Sequence, residues 1–324
     1  MRPDMPRPSP TARAVWLAAL LALTAAPALA GPPPWQNGAN NDAKNRGLLF
    51  TVPQIDVLAD FHGNPIGAKL VLYVGGNYFF AMAGLVHKFE STHPALAGHI
   101  YWETLPPGLL AMQLAGGGTV TCGNMTWSAP ADAYLAGLAR VQSLLRLGKL
   151  DGPATIYATN SLTIMVARGN PRHIASLHDL ARPTLRLAMP NPRFEGVARQ
   201  ISAALIRAGG QALATAVYQT KVTDGTTLLT QIHHRQTPLW LMQGKVDAGV
   251  TWLSEAEFQE QIGNPIANIT IPPAQNATGI YAGAVVHGAA HPNAARQWLA
   301  FLKSAPAQAI FAQYGFKPYQ GAKP

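Results

Sequence analysis

The chain has one cysteine, Cys122, in 324 residues. A lone thiol cannot form an intramolecular disulfide, a cysteine zinc cluster or a haem attachment motif. It reads as a small, partly buried apolar residue. Beyond residue 30 no stretch approaches about 20 uninterrupted apolar residues, so no spanning helix is expected there. Charged residues make up 12% of the chain and lean to one sign, with a formal charge of +9. No block of five or more Lys or Arg occurs, which argues against a nucleic-acid partner. HExxH, GxSxG and P-loop patterns are absent, and the ten histidines are dispersed, so no catalytic signature and no cofactor are indicated. No repeat of 20–50 residues suggests a solenoid.

The first thirty residues are what a secretory signal looks like. Arg2, Arg7 and Arg13 stand against Asp4, residues 15–25 are apolar, and Ala28-Leu29-Ala30 gives a small-x-small cleavage pattern. No cysteine follows that site and no twin arginine precedes it, so general secretion without a lipid anchor is expected. The three arginines and one aspartate account for +2, leaving the mature chain of about 294 residues near +7. A diffuse positive field of this kind suits attraction of anions or of an anionic membrane surface. A mature length of this order suits two lobes better than one core.

Strand and helix patterns alternate along the remainder. Residues 69–74 are an apolar run that ends in Gly75-Gly76-Asn77, and helical spacing follows over 79–91. Strands are expected at 48–58, 99–102, 161–166, 185–189, 248–252, 266–271 and 280–286. Helices are expected at 109–114, 130–147, 177–181, 197–208, 227–233 and 238–243, with a loop or hairpin inserted at 116–127. Residues 31–46, rich in Pro, Gly and Asn, read as a flexible leader. The closing stretch 290–316 reads as two amphipathic helices. Pro292 starts the first, Ala295, Trp298, Leu299 and Leu302 line one face, Ser304 caps the second, and Gly315 stops it. The pattern is α/β with mainly parallel sheets.

Four sentences of the sequence resemble type II periplasmic solute-binding proteins, and in particular their molybdate- and tungstate-binding branch. They are LVLYVGGN (70–77), LARPTLRLAMPNPRFEGVARQISAAL (180–205), GKVDAGVTWLSE (244–255) and the closing AHPNAARQWLAFLKSAPAQAIFAQYGF (290–316). The resemblance covers roughly residues 69–316. It implies two lobes joined by two hinge crossover strands near 157–166 and 278–286, with a ligand clamped between them. On that division the signal is 1–30, a leader and short strand extension 31–68, lobe one 69–157 plus 284–324, and lobe two 160–280. It further implies a monomeric periplasmic protein that hands a small anionic solute to an inner-membrane ABC permease.

The resemblance also points to ligand-contacting loops. They are Gly76, Asn77 and Tyr78; Pro107 and Gly108; Glu195 and Gly196; Gly225, Thr226 and Thr227 behind Asp224; and Trp252. Several depart from the branch's usual residues. Asn77 stands where Ser is usual, and its amide brings an acceptor as well as a donor. Pro107 lacks an N–H. Glu195 places a carboxylate in a turn normally uncharged, which an anion tolerates only if the carboxylate is paired. Trp252 replaces Tyr and can only donate. The ligand therefore stays open between molybdate or tungstate, another oxyanion, an organic acid and a metal chelate. Each residue has a plainer reading as well: Asn77 as a turn former, Trp252 as core, Asp224 as a helix cap. His233, His234 and Arg235 read either as a cation cluster for an anion or as the basic end of a helix. Adjacent histidines on a helix diverge by about 100°, a poor arrangement for joint metal binding. Two other functions stay open. One is a sensor or partner protein on the same fold, using 31–67 or 116–127 to dock. The other is a secreted enzyme built on Glu195 and Asp224.

Overall fold

One strand of 18 residues, Leu150–Ala167, runs through the whole fold and organises it. The computed structural model describes residues 61–122, 125–193, 195–231 and 233–321. The signal segment, most of the leader and the strand expected at 48–58 lie outside the described residues.

In chain order the strands are β1 (Phe61–His62), β2 (Leu70–Gly75), β3 (Ile100–Leu105), β4 (Thr119–Cys122), β5 (Met125–Ser128), β6 (Ala133–Gly137) and β7 (Leu150–Ala167). They continue as β8 (Leu187–Met189), β9 (Thr227–Leu229), β10 (Ala248–Trp252), β11 (Ile266–Thr270), β12 (Thr278–Val286) and β13 (Lys317–Pro318). The helices are α1 (Phe79–Thr92), α2 (Pro107–Ala115), α3 (Leu138–Arg146), α4 (Val197–Thr215), α5 (Gln236–Met242), α6 (Leu253–Gln261), α7 (Pro292–Phe301) and α8 (Ala305–Ala312).

The sheet order is β1-β3-β2-β6-β12-β7-β10-β8-β9, with β11 and β13 also paired to β7. The central ladders are parallel: β2 pairs with β3 and β6, and β8 with β9 and β10. β7 pairs antiparallel with β12 up to Ser161 and with β10 from Leu162 onward. It thus carries the chain from one half of the sheet into the other. β2 is buried at all six positions, as a strand covered on both faces must be. In the first half, Leu70, Leu72 and Val74 pack with Phe89 of α1, Trp298 of α7 and Phe311 of α8. In the second, Leu187 and Met189 pack with Ile201 and Leu205 of α4. The closing helices form as expected. The Ser304 hydroxyl caps α8 at Ala307 N, and Gly315, at φ +76°, takes the left-handed turn that ends it.

Two expectations are corrected. Residues 130–147 are not one helix, because Ala133–Gly137 is a buried strand between β2 and β12 and α3 starts only at Leu138. The run Ala-Tyr-Leu-Ala is apolar at every position, so it has no period to distinguish strand from helix. Residues 227–233 are not a helix either; Thr227–Leu229 pairs in parallel with Leu187–Met189. The helix expected to end at Ala208 resumes through a kink at Gly209 and Gly210 and runs to Thr215. The inserted segment is a hairpin, with hydroxyl pairs Thr119–Ser128 and Thr121–Thr126 across it.

Asp132 ties three elements together. Its carboxylate accepts from Val71 N at 2.9 Å and from His291 N at 2.7 Å, and lies 3.2 Å from His291 Nδ1. It is wholly buried. Asp132→Ala leaves two backbone donors unsatisfied and is expected to cost about 2–4 kcal/mol, read as a fall in thermal midpoint. Unchanged stability would show that the tie carries nothing.

Glu103 lies buried close to the hairpin. Its Oε1 accepts from Tyr101 Oη at 2.9 Å and Gln113 Nε2 at 3.0 Å, and Trp127 Nε1 donates to Tyr101 Oη at 2.8 Å. Burial, only partly offset by the hydrogen bonds from Gln113 and Tyr101, pushes the Glu103 carboxyl up to about 7. The folded protein therefore holds a proton that the unfolded chain releases near its ordinary carboxyl pKa. Stability falls as pH rises between about 4.5 and 7, by about 3 kcal/mol in all, and stays lowered above that window. Glu103→Gln keeps the acceptor oxygen and removes the charge. It is expected to flatten this part of the stability–pH curve and to raise the melting temperature at pH 8 by several degrees. A variant whose curve still slopes as the parent's does would place the titration elsewhere.

Candidate functional site

In parallel α/β sheets the strand ends that open into helix N-termini form the ligand side. Here those are the carboxyl ends of β2 and β3 in one half, and of β8, β9 and β10 in the other. The two sets meet at Arg235 and at the Phe79 ring, which packs edge-on to Phe258 of α6 at 5.5 Å.

Arg235 follows β9 and is buried. Its guanidinium carbon lies 4.7 Å from the centroid of the Phe79 ring at the start of α1, and Nη2 donates to Thr104 O at 3.4 Å. Gly76 admits this approach. A Cβ there would lie 3.1 Å from Arg235 Nη2 and 3.2 Å from Thr104 O. A guanidinium from the second half thus rests on the strand-end loops of the first.

Behind it is a buried chain of acid, imidazole and acid. Glu195 Oε2 accepts from His234 N and pairs with His234 Nδ1, both at 2.7 Å. Its Oε1 accepts from Asn191 N at 3.2 Å and from the Thr230 hydroxyl. The other ring nitrogen, Nε2, lies 2.6 Å from Glu255 Oε1, and the Thr251 hydroxyl donates to Glu255 Oε2. Burial alone would raise the Glu195 carboxyl; His234, Thr230 and the Asn191 N–H outweigh it and bring it below the usual range. Burial alone would lower His234; the charge of Glu255 and the bonds to both carboxylates raise it to about 9. Burial, then the neighbouring positive charges of His234 and Arg235, push His233 well below the usual imidazole value. Two carboxylates therefore face one imidazolium, His234.

The expected residues fall into three groups. Gly76, Asn77, Pro107, Gly108, Glu195, Gly196 and Trp252 lie at or just beyond carboxyl ends of strands. Asn77 Nδ2 donates to Tyr281 Oη, and the Trp252 ring packs edge-on to Tyr281 at 6.2 Å. Glu195 is paired, the condition an anion would require. Tyr78 is different. Its hydroxyl bonds Tyr157 Oη at 2.5 Å, and its ring packs among Tyr281, Phe311 and Phe316. Its side chain is core.

Gly225, Thr226 and Thr227 form the third group. Asp224 follows a helical turn, Lys221–Thr223, and the chain then enters β9 instead of opening a helix. Thr226 O accepts from Leu187 N, the first residue of β8. These residues stand at the amino end of the strands, opposite Glu195 and Thr230. The carboxylates Glu195 and Asp224 therefore do not converge, which removes the basis for an enzyme built on that pair. At the carboxyl end of β9, beside Glu195, stand Thr230 and residues 233–235. Their signal in the sequence was the His-His-Arg triplet at 233–235.

The family model for bacterial extracellular solute-binding proteins matches residues 70–317. The molybdate-binding protein ModA of Mycobacterium tuberculosis is 27% identical over 213 residues, covering 65% of this chain and 74% of ModA. Among solved structures, the sulfate-binding protein SubI of M. tuberculosis superposes with TM-score 0.63 at 22% identity, over 78% of this chain and 86% of its own. The periplasmic molybdate-binding protein of Azotobacter vinelandii gives 0.60 at 18%, over 78% and 100%. Among the described residues no helix is long and apolar enough to cross a membrane.

Proposed function

The chain belongs to the bacterial extracellular solute-binding proteins, and from that premise we propose that it is an exported periplasmic receptor for a small anion, which it passes to an inner-membrane ABC permease. Residues 1–30 direct its export. Residues 69–157 with 284–324, and residues 160–280, act as two lobes that close on the solute. Closure is driven by the higher affinity of the closed state for ligand. The observation that carries the reading is Arg235, a guanidinium from one half seated on the Gly76 and Thr104 backbone of the other. Arginine offers a fork of donors suited to an oxyanion or carboxylate, and α1 starts beside it at Phe79. Molybdate, tungstate and sulfate are the first candidates, because relatives bind molybdate and sulfate. The paired carboxylates Glu195 and Glu255 and the donor-poor Pro107 also favour an organic acid.

The test is a thermal-shift screen of molybdate, tungstate, sulfate, phosphate and small carboxylates. A ligand at one hundred times its Kd stabilises by about 2.7 kcal/mol, well within detection. If no anion raises the midpoint, the receptor reading fails.

A further inference from the structure

The corner formed by Glu195, His233 and His234 has a chemistry that anion capture does not use. One ligand-capable atom from each of the three residues lies within 4.8 Å of the others. All three side chains are buried. His233 and His234 precede α5 and are not part of it, so the divergence expected of neighbouring helical side chains does not arise. Their ring centroids are 3.6 Å apart with planes inclined at 35°.

His234 is held as a metal-binding histidine usually is. One nitrogen, Nδ1, faces Glu195 Oε2 at 2.7 Å. The other, Nε2, faces a second carboxylate, Glu255, at 2.6 Å. Glu255 is in turn oriented by the Thr251 hydroxyl, and Glu195 by Thr230 and Asn191 N. An outer carboxylate on the far nitrogen fixes the tautomer and ring direction of a ligating imidazole and raises its basicity. Glu195 Oε2 and His234 Nδ1, 2.7 Å apart, are two atoms that a cation could bridge.

We propose that Glu195, His233 and His234 bind a divalent transition metal ion of the zinc class, with Glu255 as the outer carboxylate. Two imidazoles and one carboxylate form a donor set suited to Zn²⁺ and its neighbours, and three protein ligands leave a fourth position open. The ion adds positive charge to a site that holds two carboxylates. An anion arriving at the open position would then be bound as a metal-held ligand. The metal site goes beyond the anion reading and stands whether or not a free anion binds.

The full chain, stripped with chelator and dialysed, is titrated with Co²⁺ and followed by visible absorption, then competed with Zn²⁺. One equivalent of Co²⁺ is expected to give the d–d bands of a low-coordinate site, and Zn²⁺ should displace it. His233→Ala should abolish the bands, and Glu255→Gln should weaken affinity about 10- to 100-fold. His287→Ala, at an exposed histidine, should change nothing. Glu195→Gln is informative only if its circular dichroism matches the parent. His233→Ala removes an acceptor for the Arg235 N–H and the ring contact with His234 but leaves both carboxylates on His234 in place, so it decides the matter if Glu195→Gln does not fold. Absent bands, or equal affinity in parent, His233→Ala and His287→Ala, overturns the site. Absent bands together with an anion shift that persists in the stripped protein would leave the receptor reading standing alone.

Discussion

Glu195→Ala is expected to destabilise the protein by about 3–5 kcal/mol, the largest single-residue effect at the site. The carboxylate is buried and takes four contacts: Asn191 N, the Thr230 hydroxyl, His234 N and His234 Nδ1. Alanine leaves those donors in a dry environment and removes one of the two negative charges facing His234. Removing one partner of a buried pair costs far more than the pair contributes relative to apolar isosteres. Glu195→Gln keeps volume and one acceptor and should cost less. Urea unfolding of the three proteins at pH 7 measures this. A midpoint for Glu195→Ala within error of the parent would mean that the pair is solvated and energetically idle.

The second large effect concerns binding. Arg235→Ala should weaken the anion that gives the greatest thermal shift by about 30-fold to more than 1,000-fold, the range found when one member of a desolvated charge pair is truncated. Arg235→Lys keeps the charge but loses the planar fork and the stacking on Phe79, so it should lie between parent and alanine. Titration calorimetry separates the three. Equal affinities in all three would show that Arg235 holds the halves together without touching the solute.

Most of the framework was legible because periodicity encodes burial. The run LVLYVGGN declared β2 and its turn, since a strand buried on both faces must be apolar throughout. The closing helices were legible from Ala295, Trp298, Leu299 and Leu302, which recur at helical spacing and pack in one core with β2 and α1. Ala133–Gly137 was not, because an all-apolar run carries no period. Thr227–Leu229 was not, because three residues are too few to show alternation.

That second segment bears on the candidate site. A helix at 227–233 would make Asp224–Thr227 a helix opening, in keeping with the ligand contacts that the resemblance implies at Gly225, Thr226 and Thr227. As a strand, the same segment turns its other end toward Glu195. Thr230 and His234 then bond Glu195, and Arg235 reaches the opposite half. Glu255 was equally hidden. Nothing local distinguishes a helix-surface glutamate from one that pairs with a histidine twenty-one residues earlier in the chain.

The most direct test of the anion-receptor account is a crystal structure of the protein with the anion that most raises its melting temperature. The account predicts ligand density between the Gly76-Asn77 turn, the start of α2 and the Arg235 guanidinium. Density at the Asp224–Thr227 end of β9, or only on the outer surface, would contradict it.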